Sequence, residues 1–146
     1  MARVSSYLNF PGNTEEAFQF YKSIFGGEFE GHIARFGDMP ANDDMPPFSD
    51  EQKNLIMHIC LPILGGHLLM ATDAHASMGF TVTPGNNNYI NLEPDTREET
   101  ERLFKGLSAG GKIESELQDM FWGDYFGSCV DKYGIRWMFN CSEPKK

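Results

Sequence analysis

The chain contains an internal duplication, which constrains its fold more than any other feature of the sequence. Residues 7–30 read YLNFPGNTEEAFQFYKSIFGGEFE, and residues 89–114 read YINLEPDTREETERLFKGLSAGGKIE. With short gaps, the segments share identical residues in the same order: Tyr7 with Tyr89, Asn9 with Asn91, Thr14 with Thr96, and Gly26-Gly27 with Gly110-Gly111. Because this spacing of roughly 80 residues exceeds the period of about 20–50 residues in solenoid repeats, the duplication predicts two modules of similar fold.

The first module reads as a strand, a helix and three further strands. The pattern predicts a strand over residues 3–10, then a helix that begins at Asn13 or Thr14 and ends at Gly26-Gly27. Further strands are predicted over residues 28–36, 55–61 and 67–72, the last two joined around Gly65-Gly66. Residues 38–52 are rich in proline and acid and predict a loop, either a solvated excursion or a lid over a pocket.

The second module repeats this order. Strands are predicted over residues 89–93, 112–117, 125–130 and 135–140, and a helix over residues 96–107. We therefore expect an α+β fold of two βαβββ modules, residues 1–76 and 89–146, joined by a Gly/Asn/Pro-rich linker at residues 77–88. The mainly antiparallel strands are expected to curve around a shared cleft, with the helices outside.

Composition excludes several classes of function. The net charge of −9 argues against nucleic-acid binding, which depends on Lys and Arg. No apolar run approaches the ~20 residues that span a bilayer, and the N-terminus lacks a signal-peptide pattern, so we expect no membrane association. Cys60, Cys129 and Cys141 are odd in number and show no CxxC spacing, which is typical of reduced thiols in a cytoplasmic protein.

Three segments carry a resemblance to a known superfamily: YLNFPGNTEEAFQFYKSIFGGE, MHICLPILGGHLLMATD and MFWGDYFGSCVDKYGIRWMFN. Together they resemble the vicinal oxygen chelate superfamily, which includes glyoxalase I, extradiol dioxygenases and bleomycin-resistance proteins. Within it, the chain looks like the PhnB-like branch, often labelled demethylubiquinone methyltransferase-like. The resemblance also implies a homodimer, which would cover exposed strand edges.

Superfamily membership implies a divalent metal held by the first and last strand of each module. The corresponding positions are Ser6 or Tyr7, Met70, Tyr89 and Met138. None of them offers the imidazole or carboxylate donors that catalytic divalent metals require. We therefore expect no metal at this site. We also expect no bound cofactor, because no glycine-rich loop suited to a nucleotide or adenosylmethionine follows a strand.

His58 and Asp73 are candidate site residues of the first module. His58 lies within the apolar strand LIMHIC and is either a general base or a core histidine. The sequence leaves its sheet face open, because one residue of slip in register reverses the face. Asp73 closes its strand and is either a local cap or, by the PhnB-like resemblance, a ligand-binding residue.

The segment DMFWGDY supplies the candidates of the second module. Phe121, Trp122 and Tyr125 can form a stacking platform for a flat organic ligand or a cation, with the Asp124 carboxylate beside it. The alternative is a hairpin whose aromatic residues fill the core or a dimer interface.

Two functions follow from these candidates. The chain is either a metal-independent enzyme that acts on a small organic molecule through His58 or Asp124, or a binding protein that holds such a molecule without turnover. The ligand is expected in the cleft, against Trp122 and Tyr125.

Overall fold

A computed structural model describes residues 1–40 and 43–146 of the chain. The predicted loop at residues 38–52 therefore falls partly outside the described residues, because it includes Ala41 and Asn42. The chain divides into two compact units, Met1–Thr83 and Pro84–Lys146. The division lies within the predicted linker at residues 77–88.

The first unit is built on a sheet with one helix on its face. Its helices and strands are β1 (Ser6–Phe10), α1 (Thr14–Phe25), β2 (Ala34–Arg35), α2 (Asp50–Asn54), β3 (Ile56–Pro62) and β4 (Leu68–Asp73). The strand order among the described residues is β1-β4-β3-β2. β1 runs parallel to β4, and the other neighbours are antiparallel. The first strand thus lies beside the last, and the β1–α1–β2 connection leads from one edge of the sheet to the other.

Burial on α1 identifies the face of the sheet that forms the core. Ala17, Phe18 and Tyr21 on α1 are fully buried, and α1 contacts β3 and β4. On the strands, Ile59, Leu61, Leu69 and Ala71 are likewise buried. Because side chains alternate along a strand, the residues next to these buried ones point to the opposite face. Strand pairing places Tyr7 beside Met70, and Met70 beside Cys60, on that face. We call this face, with Tyr7, His58, Cys60, Met70 and Thr72, the N-terminal distal face.

Two local predictions for the first unit are wrong. The predicted strand over residues 28–36 is reduced to Ala34–Arg35, because the backbone turns through a positive φ of 71° at Gly31 and the register shifts between Ala34 and Arg35. Within the predicted loop, Asp50–Asn54 forms α2. The sequence carried its signal, since Ser49 and Gln52 form a reciprocal capping box.

The second unit repeats the architecture with longer final strands. It contains β5 (Ile90–Leu92), α3 (Arg97–Ser108), β6 (Lys112–Asp119), β7 (Tyr125–Val130) and β8 (Arg136–Cys141). Its described strands follow the order β5-β8-β7-β6, with β5 parallel to β8. Leu103 and Leu107 of α3 and Trp137 and Phe139 of β8 are fully buried, and α3 contacts β8. Thr96 caps α3 by accepting a hydrogen bond from the Glu99 N–H at 3.1 Å.

The two sheets therefore confirm the predicted α+β fold of two βαβββ modules. In both, the strand that precedes the helix pairs in parallel with the last strand of its own unit. None of the helices in the described part of the chain is long and apolar enough to cross a bilayer.

Candidate functional site

A hydrogen-bonded pair of aromatic side chains lies on the N-terminal distal face. The Tyr7 hydroxyl is 3.2 Å from Nδ1 of His58, and the centres of the two rings are 5.8 Å apart. Tyr7 is half exposed, and its pKa is raised above the ordinary value of 10.0 by burial of the phenol. The hydroxyl therefore keeps its proton at neutral pH and is able to donate to the imidazole.

Strand register explains why these two residues meet. Tyr7 on β1 is opposite Met70 on β4, and Met70 is opposite Cys60 on β3. His58 lies two residues before Cys60 and so takes the same face. The imidazole and the phenol reach each other across β4. The structure thus decides the open question of the face of His58: it points away from α1.

The N-terminal distal face and the corresponding face of the second sheet contain the positions at which the resemblance noted in the sequence implies a metal. In the first unit this position pairs Tyr7 with Met70. In the second unit Met138 is opposite Asn91, and Tyr89 lies two residues before Asn91. A phenol, a carboxamide and two thioethers do not fit a catalytic divalent metal. Within residues 1–40 and 43–146, no group of three or more His, Cys, Asp or Glu side chains is placed to hold a metal ion.

Asp73 is engaged in structural contacts inside the first unit. It is only 3% exposed. Its Oδ1 accepts hydrogen bonds from the Thr14 N–H at 3.0 Å and the Thr14 hydroxyl at 2.6 Å, and its Oδ2 accepts one from the Ile56 N–H at 2.8 Å. Of the two alternatives left by the sequence, these contacts match the local cap, because the carboxylate closes the first turn of α1.

The predicted aromatic platform occupies the turn between β6 and β7. Phe121 is 97% exposed and Trp122 52% exposed, and their ring centres lie 4.9 Å apart at a steep angle. The turn is closed by the Gly123 N–H, which donates to the Met120 carbonyl at 3.0 Å. Asp124 follows the turn directly and is partly exposed. The structure thus brings Phe121, Trp122 and Asp124 together on a hairpin tip.

Tyr125 lies on a different face from the one we predicted. It is opposite the buried Cys141 in the register of β7 and β8, which places it on the face covered by α3. Its hydroxyl donates to Oε1 of Glu101 at 3.0 Å, and the Arg97 guanidinium lies 4.4 Å from its ring centre. The prediction of Tyr125 beside Trp122 on the concave side is therefore wrong, because the alternation of β7 turns it toward α3.

Sequence reasoning missed a polar cluster in the second unit. Oε1 of Glu114 accepts from the Tyr89 hydroxyl at 2.7 Å, and its Oε2 from the Arg136 guanidinium at 2.7 Å. The pKa of Glu114 lies below its ordinary value, mainly because the Tyr89 hydroxyl donates to the carboxylate and, to a smaller extent, because Arg136 does. Arg136 also donates to the Gly85 carbonyl at 2.8 Å. No local signal identifies this cluster, since Tyr89 precedes β5 whereas Glu114 lies on β6 and Arg136 on β8.

Comparison with known proteins identifies the family to which this sequence is similar. The profile of the family described as 3-demethylubiquinone-9 3-methyltransferase matches residues 2–139. The chain is 33% identical to Protein YjdN of Escherichia coli over 147 residues, which covers 94% of this chain and 93% of that protein.

Solved structures agree with the family match. The crystal structure of protein PA1353 from Pseudomonas aeruginosa is similar with a TM-score of 0.80 and 35% identity, over 97% of this chain and 98% of that one. A putative 3-demethylubiquinone-9 3-methyltransferase, PhnB protein, from Bacillus cereus has a TM-score of 0.71 and 28% identity, over 96% and 99%.

A more distant structure shares the fold alone. It is a glyoxalase/bleomycin resistance protein/dioxygenase family enzyme from Burkholderia phytofirmans, with a TM-score of 0.61 and 17% identity over 94% of this chain and 98% of that one.

The family description names a methyltransferase, but the strand-to-helix turns at residues 11–13 and 94–96 carry no glycine-rich loop. The residues present therefore do not fit adenosylmethionine. The chain belongs to the 3-demethylubiquinone-9 3-methyltransferase family, which includes PhnB-like proteins, and it shares the fold of a glyoxalase/bleomycin resistance/dioxygenase family enzyme.

Proposed function

We propose that the chain is a metal-independent enzyme that acts on a small organic molecule by proton transfer at the N-terminal distal face. The observation that carries this proposal is the contact between the Tyr7 hydroxyl and Nδ1 of His58 at 3.2 Å. Superfamily members with a metal use it to activate their substrate, and the donors here do not fit one. A titratable pair at the same face supplies the acid–base groups that such a reaction needs.

The pair is suited to proton transfer because each group is able to donate and to accept. When Nδ1 carries the proton and donates to the Tyr7 oxygen, Nε2 of His58 has a free lone pair and accepts a proton from a bound molecule. The Tyr7 hydroxyl then donates its own hydrogen bond to an oxygen of that molecule. A carbonyl compound with an acidic C–H bond is the simplest substrate for this arrangement.

The neighbouring side chains favour a small and partly apolar ligand. Met70 lies directly beside Tyr7, and Cys60 beside Met70. The Cys60 Sγ lies 3.7 Å from Oε2 of Glu30, and burial raises its thiol pKa. Cys60 therefore contributes apolar surface rather than a reactive thiolate. Apolar walls with a few convergent polar groups are typical of small-molecule sites.

Hydrogen exchange in D₂O tests the proposal directly. A panel of small carbonyl compounds is incubated with the protein, and loss of the acidic C–H signal is followed by proton NMR. We expect His58→Gln to slow the protein-dependent exchange by at least about 10²-fold, the lower range for general acid–base catalysis. Tyr7→Phe, which removes only the hydroxyl, is expected to slow it less.

A matched control separates catalysis from a general effect of losing a histidine. His67 lies in the same unit, but its Nε2 is 3.0 Å from the Ser6 hydroxyl, and Ser6 is on the face of α1. His67→Gln should therefore leave exchange unchanged. Exchange that is absent in the wild type, or equal in His58→Gln, would contradict the proposed enzyme.

A second function, binding without turnover, is favoured by the hairpin tip of the second unit. The exposed rings of Phe121 and Trp122 with the neighbouring Asp124 form a platform for a flat cationic compound. The net charge of −9 also attracts such a ligand. Under this alternative, compounds bind with an affinity that depends on Trp122 and show no exchange that depends on His58.

A further inference from the structure

Another histidine of the first unit, His75, lies at the centre of a polar cluster that the proposed function does not use. After β4, the chain forms a 3₁₀ turn over Ala76–Met78, preceded by His75. Nδ1 of His75 is 2.7 Å from the Ser77 hydroxyl, and its Nε2 is 3.8 Å from Oε1 of Glu51 on α2. The three side chains follow one another in the order hydroxyl, imidazole, carboxylate.

The backbone determines which nitrogen of His75 carries the proton. The Ser77 N–H donates to Nδ1 at 3.2 Å. A backbone N–H can only donate, so Nδ1 is the unprotonated nitrogen and Nε2 carries the hydrogen in the neutral ring. That hydrogen faces Glu51, while Nδ1 accepts from the Ser77 hydroxyl. This is the tautomer that a general base needs in order to take the proton of a serine.

Two further contacts position the cluster. The Gln52 carboxamide nitrogen donates to the Ser77 hydroxyl oxygen at 3.0 Å, while its oxygen accepts from the Ser49 N–H at 2.9 Å, which fixes the direction of the amide. Gly12 approaches the other side of the imidazole, since a Cβ at this position would lie 2.9 Å from the His75 Cδ2. Ser77 itself is exposed, so a molecule in solution has access to its hydroxyl.

We propose that Ser77 is a nucleophile for acyl transfer from small activated carboxylic esters, with His75 as its general base. The Ser77 Oγ attacks the ester carbonyl carbon and forms a new C–O bond, while its proton moves to Nδ1 of His75. The bond to the leaving alkoxide or phenoxide then breaks, and His75 gives this group the proton. Water releases the acyl group as a carboxylic acid by the same route. Gln52 holds the Ser77 oxygen in place through its amide hydrogen bond, and the Glu51 carboxylate stabilises the imidazolium.

The test uses p-nitrophenyl acetate with the full chain. Release of p-nitrophenol is followed by absorbance, and the acetylated residue is located by peptide mass spectrometry. We expect acetyl-Ser77 in the wild type and none in Ser77→Ala. His75→Asn is the informative variant, because asparagine is a good cap for the turn but is no base. It should acylate Ser77 at least about 10²-fold more slowly.

Controls make each outcome decisive. Ser23 is an exposed serine whose hydroxyl donates to the Phe20 carbonyl at 2.6 Å, so Ser23→Ala should not change the rate. Glu51→Gln, at an exposed carboxylate, should slow acylation while the protein stays folded by circular dichroism. His58→Gln should have no effect, which keeps this site distinct from the proposed function. The proposal is overturned if Ser77 is acetylated no faster than Ser23, or equally fast in His75→Asn.

Discussion

The Asp73 carboxylate at the end of β4 accepts hydrogen bonds from both the N–H and the hydroxyl of Thr14, at 3.0 and 2.6 Å. It thereby joins the last strand of the first unit to the beginning of α1. Its other oxygen accepts from the Ile56 N–H at 2.8 Å. One buried side chain thus satisfies backbone donors of a helix and of a neighbouring strand.

Removal of this carboxylate should destabilise the fold. We expect Asp73→Ala to lower the free energy of unfolding by about 2–4 kcal/mol, because buried donors of Thr14 and Ile56 lose their acceptor. Urea denaturation measures the change. Asp124→Ala, on the partly exposed hairpin, is the matched control and should stay within about 0.5 kcal/mol of the wild type. Equal effects of the two substitutions would contradict the structural role of Asp73.

Trp122 should matter for binding of a flat cation, and Tyr125 should not. We expect Trp122→Ala to weaken binding of ethidium by about 1–3 kcal/mol, the scale of losing a large aromatic contact. Tyr125→Phe should leave the affinity unchanged, since Tyr125 lies on the face of α3 and its hydroxyl is bonded to Glu101. Fluorescence titration measures both affinities. An unchanged affinity in folded Trp122→Ala would move the site away from the hairpin.

The purified protein should contain no stoichiometric divalent metal. Tyr7 with Met70, and Asn91 with Met138, do not provide the imidazole or carboxylate ligands that such ions need. Elemental analysis after purification without added chelator checks this expectation. A tightly held Zn, Ni, Fe or Mn in every chain, lost on substitution of Met70 or Met138, would show that it is wrong.

We expect ionisation of the Cys129 thiol to lower the free energy of unfolding at alkaline pH. Burial raises its thiol pKa from 9.0 to about 12. Between these values the unfolded chain releases the thiol proton whereas the folded chain keeps it, so unfolding becomes more favourable as pH rises. Urea denaturation at several pH values should show a shallower decline above about pH 9 in Cys129→Ala than in the wild type. Parallel declines would exclude this contribution.

The chain should assemble as a homodimer. Each four-stranded sheet of the described residues has edge strands with unpaired backbone groups, and exposed Phe121 and Trp122 add apolar surface. Light scattering coupled to gel filtration should therefore report the mass of two chains. A mass of one chain, 16.5 kDa, at every concentration would contradict this expectation.

Much of the fold follows from local patterns in the sequence. The duplication predicted two modules, and the glycines after each helix, together with Thr96, marked the helix ends because capping depends on a few adjacent residues. The lack of metal-ligand side chains at Met70 and Met138 was equally readable, since it depends only on residue type. Residues 28–33 failed as a strand because glycine turns, rather than apolar content, decided the path of the chain.

The candidate sites depended on contacts that no local pattern contains. His58 meets Tyr7, which is 51 residues away, only because β1 pairs with β4 and β4 with β3 in one particular register. A slip of one residue would have turned His58 toward α1, and the same alternation turned Tyr125 toward α3. His75, Ser77 and Glu51 likewise come together only after α2 packs beside the turn that follows β4. The sequence by itself determined which elements form and which chemical groups they carry, while tertiary packing decided which of those groups meet, because strand register and long-range pairing select the face and the neighbours of each side chain.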